Sequence, residues 1–142
     1  MFYEDMNHIV LSGNNYPIRC DLLVLEKIQD EFGDISEFEN KLLGFIPTKK
    51  EDGTTKKDEQ GRTLGISGMP DIHALIFALK TFAEEGMRCE EKKMEDSENL
   101  LRMVDMSPKE LSAALHNEFM RCFQRKNQNP MQEQTTKEKQ SR

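Results

Sequence analysis

The amino-acid sequence predicts a mainly α fold: an N-terminal β-hairpin packed on a compact bundle of about five helices, with a long charged loop and a disordered C-terminal tail. Three observations carry this expectation. Apolar residues recur at three- and four-residue steps in segments between Asp21 and Phe123, which places them on single helical faces. Each segment opens on a residue suited to capping free helix-start amides, and most close on glycine. Before Asp21, two β-prone runs flank Ser12-Gly-Asn-Asn15, whose Gly and Asn accept the positive φ values of a tight turn.

The elements follow in order. His8 to Cys20 reads as the hairpin; Pro17 cannot donate a ladder hydrogen bond, so its strand is an edge there. An isolated hairpin is marginal in water, so this one must lie on the helices. Asp21 caps a first helix in which Leu22, Leu25, Ile28 and Phe32 form the expected buried stripe, with Gly33 ending it and Glu26, Lys27, Asp30 and Glu31 facing water. Asp34-Ile-Ser-Glu37 resembles a capping box, and Ile35, Phe38 and Leu42 share a face before Gly44.

From Pro47 to Gly68 the chain is rich in Lys, Glu, Asp, Thr and Gly, with turn signals at Glu51-Asp-Gly53 and Glu59-Gln-Gly61. This charged insertion, residues 47–68, reads as a mobile loop or a protruding hairpin. Pro70-Asp71 then opens the central helix: Ile72, Leu75, Ile76, Leu79, Phe82 and Ala83 share one face, Ala74, Phe77 and Ala78 widen it, and Gly86 closes it. After the charged run Glu90 to Asp96, Ser97 caps a short helix carrying Leu100, Leu101 and Val104. Ser107-Pro-Lys-Glu110 combines a cap, an N1 proline and an N3 glutamate, the strongest helix start in the chain. Its helix places Leu111, Ala114, Leu115, Phe119, Cys122 and Phe123 at helical spacing. Residues 1–126 therefore form one domain, and 127–142, Gln-, Asn- and Lys-rich, are expected to be disordered.

Composition narrows the function. With 20 Lys+Arg against 26 Asp+Glu the formal charge is -6, and the pI of about 5.2 gives no general attraction to nucleic-acid phosphates. No apolar run approaches the roughly 20 residues that cross a bilayer, and Glu4 and Asp5 stand where a signal peptide starts basic, so a cytoplasmic protein is expected. Cys20, Cys89 and Cys122 are widely spaced, outside any Cys-x-x-Cys pairing, and read as reduced thiols.

The sequence carries no phosphate-cradling glycine loop, no Gly-x-Ser-x-Gly elbow, no His-Glu-x-x-His helix and no calcium-type acidic loop. His8, His73 and His116 each lack a second ligand three or four residues away, so structural or solvent roles are expected. Adjacent acids such as Glu84-Glu85 and Glu90-Glu91 do not face one substrate from a helix. Arg88, Arg121 and Arg125 offset nearby glutamates and helix C-terminal carbonyls. No enzyme, cofactor or metal is expected. Met69, Met87, Met103, Met106 and Met120 lie near helix ends or outside the main stripes; they are the candidates to line an apolar groove for an amphipathic partner helix.

The stretch Asn15-Tyr-Pro-Ile-Arg-Cys-Asp-Leu-Leu-Val-Leu-Glu-Lys-Ile-Gln-Asp-Glu-Phe-Gly33 resembles the start of tail assembly chaperones of long-tailed, siphovirus-type phages and prophages of Gram-positive bacteria. The likeness continues through Ile35 to Gly44 and, after a variable insertion, resumes at the Asp71 to Gly86 helix, with a weaker extension to Ser107–Phe123. The resemblance implies a non-enzymatic, mostly helical protein of the host bacterial cytoplasm, absent from the mature virion. Such a protein binds the tape-measure protein and helps the tail-tube protein polymerise around it, with room for self-association and no nucleic acid or membrane as partner. The family supplies no catalytic residues to carry over. A nucleic-acid-associated phage packaging or regulatory protein is the alternative and predicts a basic surface patch; an enzyme whose groups converge only in three dimensions is the third reading.

Overall fold

The structure is a computed structural model, and residues 6–94 and 96–124 of it are described; the expected tail at 127–142 lies outside them. Among the described residues there are five helices and an N-terminal hairpin, as the periodicities predict, and a second short two-stranded sheet. Strands β1 (Asn7–Leu11) and β2 (Asn14–Ile18) pair antiparallel, Asn7 opposite Ile18 and Leu11 opposite Asn14. Ser12 and Gly13, at φ 50° and 81°, make the tight turn between them. Pro17 pairs with His8 in this two-stranded sheet, where every strand is an edge.

Helix α1 (Leu22–Phe32) is capped by Asp21, which accepts from the Val24 amide at 3.1 Å, and ends at Gly33. Its buried residues are Val24 and Ile28; Leu22 is 80% exposed, against the expected stripe. The contacts of α1 with α2 and α3 set which face is buried, so Leu22 stands clear of the core and the buried stripe begins at Val24. Helix α2 (Ile35–Leu43) starts at the Asp34 cap and stops at Gly44 in the left-handed region, burying Phe38 and Leu42. A chain of aromatic rings ties these helices to the rest: Phe32 lies 5.4 Å from Phe77 and 5.2 Å from Phe38, and Phe38 lies 5.5 Å from Phe119.

Of the two expectations for the charged insertion, a mobile loop or a protruding hairpin, the structure shows the second, in doubled form. Strands β3 (Phe45–Pro47) and β4 (Gly65–Ser67) form an antiparallel stem. Beyond it the chain makes two like hairpins eight residues apart, with bridges Lys49 to Thr55 and Lys57 to Thr63 and glycines 53 and 61 at φ 89° and 82°. The amides of Lys50 and Asp58 donate to the carbonyls of Thr54 and Arg62. At the meeting point three backbone bonds close a ring: Thr48 N–H to Leu64 O at 2.8 Å, Leu64 N–H to Lys56 O at 2.9 Å, and Lys56 N–H to Thr48 O at 2.8 Å. Stem and two lobes form a three-way β junction with no buried residue.

Helix α3 (Ile72–Cys89) is the central element and touches β2, α1, α2, α4 and α5. It buries Ala74, Leu75, Ala78, Leu79, Phe82 and Ala83, while Ile72 and Ile76 are 52% and 36% exposed. The buried face is thus turned toward the alanines, which let neighbouring elements approach closely. Gly86 does not close this helix, which runs one turn further to a cap at Glu90. A side chain there would meet the Pro17 carbonyl, so the glycine admits β2 against the helix. The same seam carries a hydrogen bond from the Arg19 amide to the Phe82 carbonyl at 2.9 Å.

Helix α4 (Ser97–Arg102) is capped by Asp96, not by the expected Ser97; the Asp96 carboxylate accepts from the Glu98 amide at 3.0 Å. Helix α5 (Pro108–Arg121) has the full capping box predicted: the Glu110 amide donates to Ser107 Oγ at 3.2 Å, and the Ser107 amide to Glu110 Oε1 at 2.9 Å. Ser112 Oγ, buried in α5, donates to the Leu42 carbonyl at 2.6 Å and satisfies the end of α2.

Candidate partner-binding groove

Because α3 turns its alanines inward, its Ile72 and Ile76 are left at the surface, one turn apart. Across from them lie Leu101 in α4, Val104 and Met106 in the connection, and Pro108 and Leu111 at the start of α5. Together with Leu75 and Leu79 these line an apolar groove of about 210 Å³. The lining is aliphatic with one thioether and no aromatic ring or charge. A groove of this kind can desolvate Leu, Ile or Met side chains spaced one helical turn apart; it holds no group that could activate a nucleophile or carry a proton.

The five candidate methionines are dispersed rather than gathered. Met106 lines this groove. Met87 lines a second cleft of about 260 Å³ with Tyr16, Lys93, Met94, Asp96, Asn99 and Leu100. Met103 is half-buried and structural: its sulfur accepts from Tyr16 Oη at 3.3 Å and its carbonyl from Ser12 Oγ at 2.6 Å, tying the end of α4 to the hairpin. Met69 and Met120 are 65% and 42% exposed. The groove residues that sequence reasoning missed, Ile72 and Ile76, looked like core because they continue the apolar period of α3; the signal was Ala74 and Ala78 beside them.

Two polar clusters lie away from the groove, one fully buried at Glu118 and one partly buried around Glu85. Glu118 of α5 has no exposure at all. Its carboxylate accepts from the Cys20 amide at 2.6 Å, from Asn7 Nδ2 at 2.6 Å and from Arg121 at 2.7–3.0 Å. Arg121 Nη2 in turn donates to the Cys20 carbonyl at 2.8 Å. Both backbone polar groups of Cys20 are therefore satisfied by one turn of α5, which compensates the buried charge. The hydrogen bonds to Glu118 hold the Arg121 guanidinium above its ordinary pKa against the opposing pull of burial.

The second cluster is Asp21, Glu85 and Cys89, whose ligand atoms all lie within 4.8 Å of one another. Arg88 Nη1 donates to Glu85, and Arg19 Nε to Asp21 at 3.3 Å, so guanidinium groups already occupy both carboxylates. Burial, followed by the hydrogen bond and repulsion from Asp21, pushes the Glu85 carboxyl above the usual glutamate range; Arg88 pulls it back.

The three histidines each meet a glutamate of another element: His8 with Glu90 at 3.4 Å, His73 with Glu31 at 2.7 Å and His116 with Glu39 at 2.8 Å. They act as surface ties between elements. No helix among the described residues is long and apolar enough to cross a membrane.

No protein-family model, curated protein or solved structure matches this chain.

Proposed function

We propose that this protein is a tail assembly chaperone of a long-tailed phage or prophage, acting by reversible contacts with the tape-measure protein during tail-tube assembly. The reading rests on the resemblance of Asn15–Gly33 and the Asp71–Gly86 helix to that family, and the aliphatic groove between α3 and the α4–α5 connection is the observation that supports it. A tape-measure protein exposes apolar helical segments until tube subunits cover them, and such a segment would set its aliphatic side chains between Ile72, Ile76 and Met106. Release follows because the groove is shallow and uncharged: affinity comes from a few side chains, so tube subunits burying more surface displace it.

The test is co-purification of the full chain with the tape-measure protein encoded beside it, for the natural sequence and for Ile76→Asp. The expected result is a complex with the natural chain and a loss of about tenfold or more in affinity with Ile76→Asp, whose circular dichroism stays native. A folded chain that leaves the tape-measure protein uncomplexed overturns the proposal. Salt-dependent retention on DNA in that case would favour the nucleic-acid-associated reading.

A further inference from the structure

The seam between the hairpin and α5 holds a pair of thiols that the groove does not use. Cys20 sits between β2 and the Asp21 cap of α1, fully buried in the core. Its amide donates to Glu118 and its carbonyl accepts from Arg121, so the residue is fixed from both sides against the last turn of α5. That turn ends at Cys122, the C-cap, half-buried and packed on the same core. Glu118 lies one turn before Cys122 and Arg121 immediately before it, so the last turn of α5 carries the Cys122 thiol to the side of the core that holds Cys20, near enough for each thiol to perturb the other's ionisation. Cys89 stands apart in the other cluster, its thiol 3.9 Å from Glu85.

We propose that Cys20 and Cys122 are a covalent cross-linking site, forming a reversible intramolecular disulfide that staples the hairpin–α1 junction to the end of α5. The oxidant is a small-molecule disulfide, and the roles of the two sulfurs follow from their exposure. Cys122 is reached first: its thiolate attacks one sulfur of the reagent, the reagent S–S bond breaks, and the departing thiolate takes the proton that Cys122 gave up. Cys20 then attacks the Cys122 sulfur of the mixed disulfide, losing its proton as the second reagent thiol leaves. Two protein thiols are oxidised and one reagent disulfide is reduced to two thiols. Because the Cys20 backbone is pinned to Glu118 and Arg121 of the turn that carries Cys122, Cys20 is placed to resolve the mixed disulfide.

The same environment sets the pace. Burial pushes both thiols above the ordinary cysteine range, while for Cys122 the Cys20 hydrogen bond and the Arg121 charge work in the opposite direction. Oxidation is therefore slower than at an exposed thiol. Once formed, the cross-link closes most of the chain into one loop and constrains the unfolded state strongly.

The experiment uses the full-length Cys89→Ser protein incubated with oxidised glutathione, followed by unfolding, alkylation, intact mass and peptide mapping. The expected product retains no glutathione, has lost about 2 Da and both alkylatable thiols, and yields a Cys20–Cys122 linked peptide. Its thermal midpoint rises by about 5 °C or more over the reduced form. In the further variant carrying Cys122→Ser as well, Cys20 stays fully alkylatable after unfolding. A persistent glutathione adduct on Cys122, two unchanged thiols in the folded protein, or a cross-link that lowers the midpoint would each overturn the proposal.

Discussion

The hairpin–α3–α5 seam and the three-way junction at residues 45–67 are both held by hydrogen bonds, yet they hold by opposite means. In the seam, backbone groups of Cys20 and Arg19 are satisfied inside the core, by Glu118, Arg121 and the Phe82 carbonyl, with Gly86 giving Pro17 room to approach. In the junction nothing is buried, and the bonds close on themselves through Thr48, Lys56 and Leu64 in water. The contrast teaches where stability resides. A bond withdrawn from solvent is costly to break because the orphaned group stays dry, whereas a solvated one is replaced by water at little net cost.

The comparison breaks most sharply at Glu118. Glu118→Ala leaves Arg121, Asn7 and the Cys20 amide without their acceptor, and a loss of about 3–5 kcal/mol in urea unfolding is expected. Gly86→Ala drives a methyl into the Pro17 carbonyl and should cost about 1–3 kcal/mol by the same measurement, with α3 itself intact by circular dichroism.

Glu85 sharpens the comparison through pH. Its raised carboxyl pKa contributes stability that is complete below the unfolded value of about 4.3 and is lost as pH rises through the higher folded value. Glu85→Gln, which mimics the protonated form, should have a higher thermal midpoint than the natural protein at pH 7, with the difference shrinking toward pH 4. An unchanged difference across that range would remove burial of the charge as the cause.

The smallest effect is expected in the junction. Gly53→Ala and Gly61→Ala force an L side chain into positive φ, at a local cost of about 1–2 kcal/mol. Global unfolding should move by less than about 0.5 kcal/mol, while amide exchange speeds up at Lys50 and Asp58, whose hydrogen bonds close the two lobes. A global loss as large as that of Gly86→Ala would mean that the junction is part of the core.

Much of this architecture was legible in the residues that start helices. Asp21, Asp34 and Ser107 cap where their side chains announce it, since an amide acceptor before an apolar period has few other uses. Gly86 misleads because a glycine after an apolar stripe looks the same whether it ends a helix or admits a neighbour, and only the position of Pro17 decides. Leu22 and Ile76 continue the periods of their helices but lie outside the buried arcs, whose phase is set by tertiary contacts. Glu118 was legible in principle, since it falls on the Leu111, Leu115, Cys122 face, yet a carboxylate is read as solvated until its donors, contributed from the far end of the chain, are known. The lobes were announced by Gly53 and Gly61 with Lys and Thr at matching offsets, a repeat visible only when the two turns are laid over one another.

The ring at Thr48, Lys56 and Leu64 makes the protrusion modular. Each lobe leaves the junction and returns to it within a few residues, so the distance that the stem must span between Gly44 and Gly68 is independent of what either lobe contains. Extra residues placed at Gly53 or Gly61 lengthen one petal without pulling on the other or on α3. The molecule thus carries two adjacent sites at which foreign sequence can be grafted, and at which natural variants can drift in length, without the helical body registering the change.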